Sequence, residues 1–256
     1  MPALIGAITL AGRRWGPAVA GWLSGFPIVA GPILFFVALE QGPHFAAASA
    51  AGALAGGLAW MAFAIAYAWA ALRLPWGLAL FVSLLAYFAA GMALISAALP
   101  FAPIVVMIVI AVVLVPRIFP HLNQPIGASK FSRLEIAARM IAGGVLTITV
   151  TQLSPVMGPK FSGLFAVFPV MGIVLAAFSH RASGNVFTIH LLRGMVSGFY
   201  AFTAFCLTIA LGVPVIGIAA AFLLALGFSL TVHFAVLWVA RLRARRSGDS
   251  RIAPLL

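Results

Sequence analysis

Acidic residues are almost missing from this chain: Glu40, Glu135 and Asp249 are the only three among 256 residues. All three stand at the ends of apolar runs or in the C-terminal tail. A carboxylate pair for acid–base catalysis, a carboxylate-bound metal and a membrane-embedded acid exchanging cations for protons are therefore disfavoured. The single cysteine, Cys206, excludes a disulfide framework and a thiolate metal site, and is read as a packing residue. No nucleophile triad or His–Asp pair is visible, so the chain is not expected to be an enzyme or to hold a cofactor. Charge of either sign is scarce, 7% of residues against roughly 25% in an average soluble domain. Such a chain cannot cover a soluble surface.

What it has instead is hydrocarbon: 64% of residues are hydrophobic. An all-α polytopic membrane protein follows, because lipid demands apolar flanks and an internally satisfied backbone. Apolar runs long enough to cross fall at Val19–Leu39, Phe45–Ala71, Trp76–Ala97, Phe101–Ile118, Leu134–Leu153, Phe161–Ser179, Val186–Leu211 and Val215–Ala240. Pro2–Gly12 is a ninth, short candidate. No cleavable signal peptide is expected.

The formal charge of +12 is not a nucleic-acid footprint, since its residues cap the runs. Arg13, Arg14, Arg73, Arg117, Lys130, Arg133, Arg181 and the tail Arg241–Arg251 fall on one side; only Lys160 falls on the other. The basic side is expected to be the cytoplasm of a bacterial inner membrane, with the C-terminus inside.

Displacing the chain by 142 residues sets Gly16–Trp69 on Gly158–Leu211 without a gap. Matches include Gly16/Gly158, Pro17/Pro159, Gly21/Gly163, Phe26/Phe168, Pro27/Pro169, Gly42/Gly184, Gly52/Gly194 and Gly56/Gly198. Gly, Pro and Phe do not coincide this way in a generic Ala/Leu-rich membrane sequence. The expected plan is about nine helices: two four-helix repeats, residues 1–98 and 134–241, joined by a connecting helix and loop, 99–133, and followed by a basic tail, 242–256. An odd intervening helix inverts the second repeat, a recurrent plan of secondary transporters.

The quoted stretch "GWLSGFPIV" and its counterpart "GLFAVFPVM" place Phe-Pro in mid-span, where proline frees a carbonyl and breaks or kinks the helix. Phe26, Pro27, Phe168 and Pro169 are thus candidate cavity-lining residues, with a simple packing kink as the alternative. Gly52-x-x-x-Gly56 and Gly194-x-x-x-Gly198 allow close helix approach, expected between the repeats rather than in a homodimer. His190, Arg193 and His233 lie deep in their runs. Arg193 cannot discharge and has no acid at its depth, so an anionic ligand, backbone carbonyls or snorkelling must offset its charge. The two histidines fit hydrogen-bonded packing or proton coupling. Arg139, shallower, is expected to anchor by snorkelling, and Gln152 with Thr147, Thr149 and Thr151 to add polar groups to the site.

At "AGWLSGFPIV" followed by "LEQG", and at "SGLFAVFPVM" followed by "SHRASG", the chain resembles small bacterial inner-membrane proteins of the GlpM-like kind. The resemblance implies a multi-pass membrane protein and no particular activity. By plan it is also similar to the drug/metabolite transporter superfamily. A secondary transporter or exporter of a small anionic or zwitterionic metabolite is the function expected, with an accessory scaffold of a larger membrane complex as the alternative; in either case the bilayer is the surrounding partner and nucleic acid is not.

Overall fold

The computed structural model describes residues 1–120, 122, 124, 132–156 and 168–247, without the side chains of 154–156, 240, 241 and 243–247. Lys130, Lys160, Gly158–Gly163, the start of the Phe161–Ser179 run and the end of the tail lie outside the described residues. Regular structure among the described residues is helical: α1 Pro2–Trp15, α2 Pro17–Ser24, α3 Ala30–Gln41, α4 Pro43–Ala70, α5 Trp76–Ala97, α6 Phe101–Ile118, α7 Arg133–Val156, α8 Val170–Ile216 and α9 Ile218–Ser247. Six of these, α4 to α9, are long and apolar enough to cross a membrane. The chain is a multi-pass membrane protein.

Glycine and proline set the helix boundaries. Gly16 and Gly42 have φ of 90° and 86° and are each followed by a proline at the first helical position. A positive φ turns the chain sharply, and proline, lacking N–H, starts the next helix without loss. Gly184 and Gly217 make the same turn at φ 83° and 80°. Gly184 therefore divides α8 into two helical stretches, and Gly42 and Gly184 are counterparts in the 142-residue alignment. The helix of the Val186–Leu211 run continues through Pro214 to Ile216, and Gly217 makes the turn. α1, with 14 residues, is about 21 Å long at 1.5 Å per residue, short of a roughly 30 Å hydrocarbon core.

α8 forms the centre, packed against α2, α4 and α9, while α4 also holds α5 and α6. Half of the spanning windows of α4 and α8 is buried, against 11% for α7. The outer helices turn Leu, Ile, Val and Phe outward, where lipid receives them without cost.

The α2–α8 contact is backbone on backbone. A Cβ on Gly25 would stand 2.5 Å from Gly198 Cα, and one on Gly21 would collide with the Leu191 carbonyl oxygen. A Cβ on Gly198 would meet Gly25 Cα at 2.5 Å. The Gly194-x-x-x-Gly198 face thus receives a segment of the first half of the chain, as expected for contact within the molecule.

Candidate functional site

Pro17–Gln41 would be one membrane-length helix, but it is interrupted between Ser24 and Ala30. Gly25-Phe26-Pro27 supplies the interruption: proline cannot donate to the helix behind it, and glycine costs it stability. Ile28 N–H bonds the Phe26 carbonyl at 2.7 Å and Gly31 N–H the Pro27 carbonyl at 2.8 Å, which starts α3. The second Phe-Pro repeats these two hydrogen bonds in register. Val170 N–H bonds the Phe168 carbonyl at 2.8 Å and Ile173 N–H the Pro169 carbonyl at 2.8 Å, which starts α8.

Both Phe-Pro helix starts line one cavity of about 180 Å³, whose walls include Phe26, Pro27, Phe168 and Pro169. The four candidate residues taken from the Phe-Pro motif are brought together. Val29, Ala30, Met171 and Gly172 also line it, and their N–H groups have no backbone acceptor among the described residues. This is the ordinary condition of a first helical turn, and each such end carries roughly half a positive charge. Two helix ends at one cavity can therefore offset about one negative charge.

A side-chain donor joins them. Trp60 on α4 is 7% exposed, lines the cavity and stacks on Phe199 with centroids 4.4 Å apart. Its Nε1 has no acceptor among the described residues and lies 3.2 Å from where a Cβ on Gly172 would stand. Among the described residues, no acidic or basic side chain lines the cavity.

Arg193 and His190 lie elsewhere. Met195, Phe199 and Phe202 turn one face of α8 to the cavity; Arg193 precedes Met195 by two residues, about 200° around the helix. Its Nη2 donates to the carbonyl oxygens of Phe119 and Pro120, at 3.3 and 3.4 Å, just past the end of α6. Of the three ways to offset its charge, the structure displays backbone carbonyls, those of Phe119-Pro120 rather than of Phe26-Pro27 or Phe168-Pro169. His190 is half-buried on α8 and makes no hydrogen bond among the described residues.

His233 on α9 is 4% exposed and stacks on Trp22, centroids 3.8 Å apart and planes at 11°. Phe26 lies beside it at 5.0 Å, so His233 reaches the wall of the cavity but not its interior. Both its ring nitrogens and Trp22 Nε1 lack hydrogen-bond partners among the described residues, contrary to hydrogen-bonded packing.

Gln152 and Arg139 stand apart from the places expected of them. Gln152 is exposed on α7 and does not line the cavity, and Thr147, Thr149 and Thr151 bond carbonyls of their own helix four residues back. Arg139 does not snorkel: it is 1% exposed, its Nη2 donates to Glu135 at 2.7 Å and its Nη1 to Ser179 Oγ at 3.3 Å. Glu135 stands four residues before Arg139, a spacing that sets two side chains on one helical face. Trp60 went unnoticed because a tryptophan in an apolar run carries no local sign of what its N–H faces. No protein family matches the chain, and neither a curated protein nor a solved structure is significantly similar to it.

Proposed function

We propose that this chain is a secondary transporter of small anionic or zwitterionic metabolites, in which two inverted repeats expose the cavity between the Phe-Pro breaks alternately to each side of a bacterial inner membrane. One observation carries the reading: two Phe-Pro helix starts 142 residues apart, with the same pair of hydrogen bonds, line one cavity. Unwound backbone inside a membrane is tolerated where protein or a water-filled cavity covers it, and half-helix N-termini are suited to anionic groups. The matching turns at Gly42 and Gly184 support the repeat plan. The distribution of basic residues supports a cytoplasmic C-terminus.

The site in this proposal is the break cavity, and Arg193 ties α8 to the end of α6. That internal satisfaction of Arg193 is also what a scaffold would show. Untargeted metabolite profiling of cells with and without the protein, followed by flux of the enriched compounds into proteoliposomes, separates the two. Transport predicts an anion or zwitterion whose flux is lost in a Trp60→Phe variant that still folds. No flux of any enriched compound contradicts it.

A further inference from the structure

The cavity is not the only volume bounded by the first break. Phe26, Pro27 and Ile28 also line a second, larger one of about 680 Å³, running between α3 and α9. Its other walls include Gly31, Phe35, Phe36, Phe205, Phe222 and Leu223, and every lining residue is apolar or glycine. It opens on the lipid-facing side of the molecule, where Phe36 is 60% and Leu223 72% exposed.

Resting on the transporter reading, we propose that the substrate is a single-chain amphiphilic monoanion, with its carboxylate at the helix ends of the cavity and its hydrocarbon tail in the groove between α3 and α9. The anionic end follows from the donors present: two first helical turns, and Nε1 of Trp60, a 7% exposed residue whose N–H has no acceptor among the described residues. Its single charge follows from the helix ends, which supply about one unit of positive charge between them. The tail follows from continuity. A ligand held at Phe26–Ile28 already touches residues that form the groove wall, and a hydrocarbon chain lying there replaces lipid contacts with protein contacts of the same polarity. A small hydrophilic anion would leave the groove and its five phenylalanines unused.

The test is equilibrium binding of labelled dodecanoate to the full chain in lipid nanodiscs, with dodecanol and acetate as comparators. Dodecanoate should bind saturably, and each comparator about tenfold more weakly or worse, roughly 1.4 kcal/mol. Gly31→Phe should fill the groove, because a Cβ there already touches Phe205 at 3.5 Å, and should weaken dodecanoate about tenfold while leaving acetate unchanged. Ala219→Phe, from an exposed position on the same groove, repeats the measurement should Gly31→Phe fail to fold. Equal binding of acetate and dodecanoate overturns the inference and leaves the anion site standing. Dodecanol binding as well as dodecanoate also overturns it, because the groove would then hold plain hydrocarbon. Binding of none of the three overturns the cavity reading and the inference together.

Discussion

Phe26-Pro27 and Phe168-Pro169 have one backbone and two surroundings. The bond that closes each break joins Ile28 to Phe26 at 2.7 Å and Val170 to Phe168 at 2.8 Å. Phe26 is held by the His233 ring of α9, itself stacked on Trp22, whereas Phe168 is held by Tyr87 and Phe88 of α5, at 5.6 and 6.0 Å. The partner helices begin at Ile218 and Trp76, again 142 residues apart. Each phenylalanine is thus braced by the helix matching its own partner's position in the other half of the chain. The difference teaches that Phe-Pro fixes the backbone event by itself, while the bracing rings are free to diverge: one break has a titratable, unpartnered imidazole beside it and the other has a phenol and a phenyl ring.

The strongest way to break this comparison is to remove the seat of the first break. Gly198→Leu would drive a side chain into Gly25 and the Trp22 carbonyl, where only backbone can give way. Overpacking costs about 1–3 kcal/mol even where side chains can yield, and more is expected here. Size-exclusion chromatography after solubilisation should show little monodisperse protein.

Next in size are the buried Arg139 and the half-buried Arg193, which secure the helix that starts at the second Phe-Pro. Arg139→Ala leaves Glu135 without its cation and releases Ser179 of α8. Breaking one partner of a buried pair costs about 3–5 kcal/mol, so a clear fall in melting temperature is expected. Arg193→Ala surrenders two long bonds to carbonyls and also removes a half-buried charge, so its melting temperature should fall less. The reverse ranking would mean that Arg193, not Arg139, secures α8.

The smallest effects sharpen the difference between the bracing rings. His233→Phe keeps an aromatic ring against Trp22 and removes two unpartnered nitrogens, so stability should rise by about 1 kcal/mol. Tyr87→Ala, from a fully buried position beside Phe168, should lower it. Thermal unfolding of both variants in one detergent would show opposite signs if the two braces differ as described.

Much of this was legible in local chemistry. α5 and α6 have the bounds expected from their apolar runs because Pro75 and Pro100 precede them as N-caps. The break at Pro27 was legible because proline's missing N–H acts within one turn. The Glu135–Arg139 pair also had its sign, a four-residue spacing, but depth along the helix pointed instead to snorkelling. Depth likewise singled out Arg193 and His190, yet only azimuth decides whether a side chain meets a cavity. Azimuth depends on which face α2 and α4 cover, and no local pattern records that. Trp60 and the meeting of the two breaks depend on the same tertiary packing.

The central claim is that the breaks share one cavity, and paired thiol accessibility tests it most directly. In a Cys206→Ala background, whose native cysteine is fully buried, single cysteines replace Val29 and Met171, which line the cavity from opposite breaks. A small membrane-impermeant thiol reagent should modify both, and saturating dodecanoate should protect both over the same concentration range. Modification of one position with the other inert, or protection of one alone, would contradict a shared cavity.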